Sequence, residues 1–414
     1  MNQKLNIALC SYRSAPFGGG QGIFVYELSK ALSNLGHNVE VISGPPYPIL
    51  VDSVKLIKSP GLDLFSTFNF RMRLKLFLNK KNKSTDDWYE FFSILFGGFP
   101  EMKTFGNRIQ KLFNGSHYDI VIDNQSLSYG MLKIQEKIPV IEIIHHPISK
   151  DYQYDLEFSK GILQKISKWR WFSFLKMQKN VAVKLNVIST PSSNSKQDIA
   201  NDFEVSIKKI AVIPNGIDFD SFKPIIEIKR IPDQIITTAS ADVPIKGLDY
   251  TLYAVKELVS DFPNLKLIII GESKSDGHTE KLIKKLGIDK YITYKSNLTR
   301  AEIAIEYAKS NAAIVSSLYE GFGFPVGEAM ACGIPLIATN VASIPEITKS
   351  YAELIPAKSS EAIVQAIKNI FSNPGQNQSK ADEGRMHIIE NFDWKKIAKS
   401  YENLMYKTID EFKC

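Results

Sequence analysis

Short apolar runs alternate with longer stretches of helical period along most of this chain. In the first half the runs are LNIALCSY, NVEVISG, DIVIDNQ, PVIEIIHHP, LNVISTP and IAVIPNG, each ending in turn-forming residues. After the first of them, GIFVYELSKALSNLGH places apolar residues at helical spacing and stops at Gly36, a residue suited to a helix C-terminus. The second half repeats the rhythm with QIITTAS, LKLIIIGE, ITYKSN, AAIVSS, PLIATN and AELIPA. Continuous apolar runs are what strands buried on both faces look like, and strand–helix–strand repetition builds parallel sheets covered by helices. Two such blocks predict two doubly wound α/β domains. The 414 residues also exceed what one ordinary core accommodates.

The join is expected near IDFDSFKPIIEIKRIP, residues 217–232, which contains proline and has no clear period. The tail FDWKKIAKSYENLMYKTIDEFKC reads as an amphipathic helix. The expected division is therefore residues 1–216, residues 217–390, and a C-terminal helix, 391–414, returning to the first domain. One region breaks the rhythm. Residues 62–112 are aromatic and basic and read as an insertion in the first domain. Within it FNFRMRLKL alternates with period two, as a strand would, while the residues after it suit a helix.

Composition narrows the class. The chain is 44% hydrophobic and 23% charged, the balance of a globular protein. Its three cysteines, Cys10, Cys332 and Cys414, are far apart and show no metal-ligand or disulfide spacing, which suits a reducing, cytoplasmic setting. No run approaches the ~18–20 apolar residues of a membrane span, so any membrane contact is expected to be peripheral. The net charge of +7 favours an anionic partner. Nucleic acid is not that partner on this reading: there is no zinc-finger spacing, aromatic RNA-recognition strand or concentrated basic helix.

Chemistry collects at the ends of the strand-like runs, where ligands bind in open parallel sheets. Gly18, Gly19 and Gly20 lie between the first strand and the first helix. They suit close backbone approach to a phosphate at a helix N-terminus, or simply a flexible turn, and the dinucleotide fingerprint is not met. His145 and His146 end another strand, suited to hydrogen bonding or proton transfer rather than to a metal, since no third ligand stands at suitable spacing. Lys246 precedes Gly247 and a helix, where an ammonium could meet a diphosphate or stand in solvent. The densest stretch is SSLYEGFGFPVGEAMACGIPLIATN, with Glu320 and Glu328 flanking a glycine–proline loop. The Gly321–Val326 backbone could point amides at phosphate oxygens, Glu320 could reach a sugar hydroxyl or a developing positive charge, and Glu328 could grip a vicinal diol. A helix-dipole role for Glu328 alone would leave the second carboxylate unexplained.

With FGGGQGIFVYELSKALSNLGHNVEVIS, IHHP, STPSSNSKQDI, VIPNGIDFDSFKP, KGLDYTLYAVKEL and SLYEGFGFPVGEAMACGIPLIAT in view, the chain resembles the family 4 glycosyltransferases of GT-B fold over nearly its whole length. The resemblance implies two Rossmann-like domains facing across a cleft and a retaining, metal-independent hexosyl transfer from a nucleotide-sugar, most often UDP-linked. No cofactor is implied. It assigns Glu328 to the ribose, Lys246 to the diphosphate, and Gly19 and Gly20 to phosphate binding. Gly323, Phe324, Pro325 and Val326 line the donor loop, Glu320 sits against the transferred sugar, and His145 bonds one of its hydroxyls. The departing diphosphate helps deprotonate the acceptor on the same face.

The chain departs from the family where a second diphosphate cation is usual: position 241 is Ala241, not arginine, and Arg13 is a candidate replacement. The D-x-D of Asp218 and Asp220, a metal motif in another transferase fold, is expected to be hinge structure. The acceptor side is written in the aromatic and basic segments, residues 64–83 and KWRWFSFLKMQ. The first reads equally as an anionic-membrane contact or as core aromatics with solvated cations. The second is expected to pack on the core. A lipid or lipid-linked glycan acceptor at the cytoplasmic membrane face follows, against a soluble small-molecule acceptor or a non-catalytic nucleotide-sugar binder.

Overall fold

A computed structural model describes residues 3–15, 20–159 and 161–413. It contains two compact units, Met1–Pro214 with Trp394–Cys414, and Asn215–Asp393. Each is a wholly parallel sheet with helices on its faces. The first sheet has seven strands: β1 Asn6–Ser11, β2 Asn38–Ser43, β3 Lys55–Lys58, β4 Ile120–Asn124, β5 Val140–Ile143, β6 Val187–Thr190 and β7 Ile210–Val212, in the order β3-β2-β1-β4-β5-β6-β7. The second has six: β8 Gln234–Thr238, β9 Lys266–Ile270, β10 Ile292–Lys295, β11 Ala312–Val315, β12 Leu336–Thr339 and β13 Glu353–Ile355, in the order β10-β9-β8-β11-β12-β13. Central strands are apolar on both sides because both faces are covered. Ile7, Ala8, Leu9 and Cys10 of β1 have no exposed surface, and Leu9 stands opposite Val41 on one side and Ile122 on the other.

Both orders reverse direction once, between β1 and β4 in the first unit and between β8 and β11 in the second. At such a point the connecting segments leave toward opposite sides, and a crevice opens beyond the strands' carboxyl ends. The helix α1, Gly20–Asn34, follows β1 and is covered in turn by the C-terminal helix Trp394–Lys413. The Phe24 ring of α1 meets Trp394 at 6.0 Å and Tyr401 at 6.2 Å, while His37 pairs with Glu402 at 3.2 Å.

The strand β3 escapes the apolar-run pattern because it is a four-residue edge element with lysine at both ends. The insertion differs from expectation too. FNFRMRLKL forms no strand; most of it lies in the helix α2, Phe70–Asn79. Asn69 caps it by accepting from the amides of Arg71 and Met72, at 2.9 and 3.3 Å. Leucine, methionine, arginine and lysine are good helix formers, so the alternation carried less weight than the cap and the propensities. The helix α3, Thr85–Leu95, follows with a Ser84–Asp87 capping box, and α4 spans Glu101–Ile109. Glu90 of α3 is buried and gathers Arg108 at 2.6 Å, Thr104 at 2.5 Å and the Leu62 amide at 3.1 Å, tying α3 to α4 and to the start of the insertion.

The helix α4 rests on α5, Tyr129–Gln135, through two glycines. A Cβ on Gly130 would lie 2.3 Å from the Gly106 carbonyl oxygen and 2.8 Å from its Cα, with only backbone to give way. Gly130→Ala is therefore expected to lower stability by ~1–3 kcal/mol, measured as the shift of the denaturant midpoint at constant slope. An unchanged midpoint would mean that the two helices do not meet this closely.

Candidate functional site

In the second unit the crevice is bounded by the segment after β8, ending at Gly247, and the segment after β11, from Ser316 to Glu328. They are stitched together by backbone and hydroxyl contacts. The Leu318 amide donates to the Ile245 carbonyl at 2.7 Å. The Ser316 hydroxyl lies 3.2 and 3.1 Å from the carbonyls of Lys246 and Gly247 and accepts from Thr251 at 2.9 Å. Gly247 has φ +63°, and a Cβ there would sit 2.0 Å from the Ser316 carbonyl oxygen, so no other residue fits this turn.

That stitching brings Lys246 to Glu320, 74 residues later. Lys246 Nζ lies 2.7 Å from Glu320 Oε1, and the Ser317 hydroxyl donates to the same oxygen at 2.7 Å. Glu320 is nearly buried, whereas about a third of the Lys246 side chain faces outward (32%). Ser343 donates to the carbonyls of Glu320 and Phe322 at 2.8 and 2.9 Å, anchoring the loop. Gly323, at φ +91°, then opens the helix Phe324–Ala331. Phe324 and Pro325 are partly exposed, while Val326 is fully buried in the apolar core. The Val326 amide closes onto the Gly323 carbonyl at 3.0 Å, and Pro325 has no amide hydrogen, so these two offer no N–H to a phosphate.

Glu328 stands on the first turns of this helix, 8% exposed. Burial pushes its carboxyl up to about 7, with Arg300 opposing the rise and Asp218 adding to it. Arg300 Nη1 is itself paired with Asp218 Oδ2 at 2.9 Å, and Asp218 Oδ1 accepts from the amides of Asp220 and Ser221 at 3.1 and 3.2 Å. The D-x-D pair thus splits: Asp218 ties a turn to Arg300, and Asp220 is exposed. Among the described residues no group of three His, Cys, Asp or Glu side chains could hold a metal ion. At the turn where the usual arginine is missing, the Ala241 amide donates to the Glu272 carbonyl at 2.9 Å. Asp242 accepts from the Thr279 amide at 2.8 Å and pairs with Lys274 at 3.4 Å, so Lys274 is a cation brought to this turn that sequence reading did not single out.

In the first unit Gly20 is the first residue of α1, and Gly19 lies outside the described residues. Arg13, the candidate replacement cation, belongs to this unit. It pairs with Glu101 at 3.4 Å and lies 5.9 Å from the ring centres of both Phe65 and Phe99. With Gly20, Gly22, Asp63 and Phe65 it borders a cavity of roughly 420 Å³. Burial pushes the Glu101 carboxyl up to about 8 despite Arg13.

The histidines after β5 meet the loop after β4. Asn124 donates its amide to the Ser11 hydroxyl at 3.1 Å, which turns its oxygen toward His145 Nε2 at 2.8 Å. Nε2 therefore carries the proton, and Nδ1 is left as an acceptor. Burial, and to a lesser degree His146, lowers the His145 pKa to about 3, so the ring is neutral at physiological pH. Gln125 holds the backbone on both sides, accepting from the His145 amide and donating to the His146 carbonyl, each at 2.9 Å. His146 is engaged elsewhere, with Asp151 at 2.6 Å.

The loop that does this is itself constrained: Gln125 and Leu127 have φ of +60° and +46°. Asp123 holds it by accepting from the Ser126 amide and hydroxyl and the Leu127 amide. Asp123 stands in register with Glu142, both without exposed surface, and burial raises both carboxyls, Asp123 to about 6. Asn124 and Gln125 were not singled out in the sequence. Their signal was a polar DNQS run that ends a buried strand and opens the loop after it.

Known proteins give this geometry a context. Residues 18–221 match the family model described as Glycosyltransferase Family 4, and residues 222–391 match that of Glycosyl transferases group 1. The chain is similar to an MMP alpha-(1->4)-mannosyltransferase of Mycolicibacterium hassiacum, 36% identical over 95% of this chain and 96% of the relative. Over 45% of the chain and 51% of the relative it is 27% identical to the O-antigen chain mannosyltransferase RfbU of Salmonella typhimurium. Among solved structures it shares the fold of a sucrose-phosphate synthase from Thermosynechococcus elongatus, with TM-score 0.76, 20% identity, and coverage of 99% and 100% of the two chains. Anabaena HepE, solved with UDP and glucose, has TM-score 0.69 and 14% identity, covering 97% of this chain and 100% of its own.

A carboxyl near 7 makes a testable statement about ligand binding. If Glu328 accepts hydrogen bonds from a diol, its carboxylate is the binding form, and protons compete below pH 7. Affinity for a ribose-containing ligand is then expected to fall as pH drops, approaching about tenfold per unit well below the pKa. Titration calorimetry from pH 8 to 5 would show this slope relative to Glu328→Gln, where it should flatten. Identical profiles would place the diol elsewhere.

Proposed function

Because the chain belongs to the family 4 glycosyltransferases of GT-B fold, we propose that it moves a hexose, with mannose the favoured sugar, from a nucleoside-diphosphate donor to a lipid-linked glycan acceptor, with retention at the anomeric carbon. The observation that carries the reading is the Lys246–Glu320 contact of 2.7 Å on the same crevice as the buried Glu328. A cation, a reaction-facing carboxylate and a diol-binding carboxyl are the three groups that a glycosyl nucleotide requires. The 36% identical relative is named as a mannosyltransferase, which supports mannose over other hexoses.

On this reading the donor diphosphate draws the Lys246 ammonium from Glu320, and Glu328 takes the ribose. Glu320, released from one partner and still held by Ser317, faces the sugar as positive charge develops at its anomeric carbon. In the first unit His145, neutral and with Nδ1 as its acceptor, is suited to receive a hydrogen bond from a sugar hydroxyl. The acceptor hydroxyl forms its bond to the anomeric carbon as the bond to the diphosphate breaks, and its proton passes to the departing phosphate oxygen. Lys246 supplies the positive charge at the diphosphate, and the proposed reaction calls on no metal. Lipid linkage is supported by the aromatic and basic helices of the first unit, Phe70–Asn79 and Ile162–Trp171.

Glu320→Gln keeps the shape and removes the charge. It is expected to lower kcat by roughly 10²–10³ while leaving donor affinity nearly unchanged. Steady-state transfer or slow donor hydrolysis, read beside calorimetric binding, checks both. A variant of ordinary rate would remove Glu320 from the reaction, and hydrolysis absent even in the unaltered protein with every nucleotide-sugar would favour a binder.

A further inference from the structure

The helices that cover one side of the first unit are dressed the wrong way round for a water-facing surface. A surface helix ordinarily turns its polar face outward. In α3 the acids Asp87 and Glu90 point inward, paired with Lys80 and Arg108, while Trp88, Phe92 and, just past the helix, Phe96 are 46%, 47% and 66% exposed. These three recur every four residues, and the Trp88 and Phe92 rings stack outside the fold at 5.8 Å. In α2 only Phe77 is buried, and Phe70 and Leu78 are 55% and 62% exposed. The helix Ile162–Trp171 has no buried residue at all; Leu163 is 80% and Trp169 64% exposed.

The three helices adjoin one another. Phe77 of α2 stacks on Phe91 of α3 at 4.2 Å, and Gly97, just past α3, lies under the Arg170 side chain, whose Cβ would be 3.9 Å from a Cβ on that glycine. The expectation that KWRWFSFLKMQ packs on the core holds for part of it: Phe172 and Phe174 are buried and Trp171 packs against Phe65 at 5.4 Å, whereas Trp169 stays outside. Charge says what the exposed side meets. Residues 68–83 carry six cations and no acid, and residues 161–176 carry four cations and no acid. Of these Arg71, Lys75, Lys81, Lys165 and Arg170 are exposed beside the apolar side chains.

We infer that α2, α3 and the helix Ile162–Trp171 form one docking face for an anionic lipid bilayer, with the exposed aromatics entering the headgroup boundary and the cations meeting lipid phosphates. Apolar area alone would suit a protein partner equally. The exposed cations of α2 and of the helix Ile162–Trp171 fit an anionic surface and oppose a second copy of the same face, which would set cation against cation. The three helices contain no run that could cross the bilayer, so the contact is interfacial. It deepens the lipid-linked acceptor reading and rests on it for its purpose only, since docking needs neither donor nor turnover.

The full chain would be floated with vesicles of phosphatidylcholine, alone or mixed with phosphatidylglycerol, at low and high salt, with light scattering of the lipid-free protein alongside. Partition into the mixed vesicles is expected, falling without the anionic lipid and at high salt. Arg71→Gln with Lys75→Gln and Lys81→Gln should weaken it about fivefold per charge, and Phe92→Ser with Trp169→Ser should lower it at any salt. All five positions are exposed, and circular dichroism confirms folding. Absence of binding to either vesicle, equal binding by the variants, or a lipid-free dimer that Phe92→Ser with Trp169→Ser dissociates would overturn the inference. Donor hydrolysis by the same preparation tests the transferase reading separately, and either can fail while the other stands.

Discussion

A parallel sheet that reverses its strand order once leaves a gap that its own helices cannot fill, and both units place chemistry there. In the second unit this constraint has an atomic form: Gly247 at 2.0 Å, counted from its missing Cβ, from the Ser316 carbonyl. Only that approach lets the turn after β8 lie against the loop after β11. Everything downstream depends on it, including the Ile245–Leu318 backbone bond and the reach of Lys246 to Glu320. A side chain at position 247 would separate two segments that share no sequence proximity, and the cation would lose its carboxylate.

Electrostatics then divides the labour. Glu320 is held by a lysine and a hydroxyl, whereas burial raises the Glu328 carboxyl, one helix turn into the core, against the opposing pull of Arg300, itself paired with Asp218. Two carboxyls eight positions apart thus have different partners: Lys246 and Ser317 at Glu320, and burial with Arg300 nearby at Glu328. His145 shows the opposite device in the first unit. Burial removes its charge, and the Ser11–Asn124 chain of hydrogen bonds sets which nitrogen keeps the proton. Behind that chain, Asp123 and Glu142 accept from Ser126 and Leu127 and so hold a backbone loop in left-handed geometry behind the imidazole.

The α/β, doubly wound GT-B class was legible because strands covered on both faces must be continuous apolar runs, and IALC, IVID and LIII are such runs. Two elements hid for stated reasons. The edge strand β3 needs no apolar ends, and α2 carries a period-two pattern by virtue of long cationic stems that lie along a helix as readily as beside a strand. The glutamate loop was visible as a local motif. What joins it to Lys246, 74 residues earlier, was not, because hydrogen-bond partners at that separation are decided by packing. Asn124 and Gln125 stayed hidden for the same reason: a polar run after a strand marks a crevice without saying which side chain turns toward a histidine. The exposure of Trp169 beside the buried Phe172 likewise depends on which helix face the fold covers.

The central claim is that the crevice of the second unit receives a nucleoside diphosphate through Lys246 despite Ala241. Calorimetric titration of the protein and of Lys246→Ala with UDP, GDP and ADP, in EDTA and again in magnesium, tests it most directly. The account predicts selective one-to-one binding of one of the three in EDTA, much weakened in Lys246→Ala. Binding that is absent, or that survives the loss of Lys246 unchanged, would contradict it.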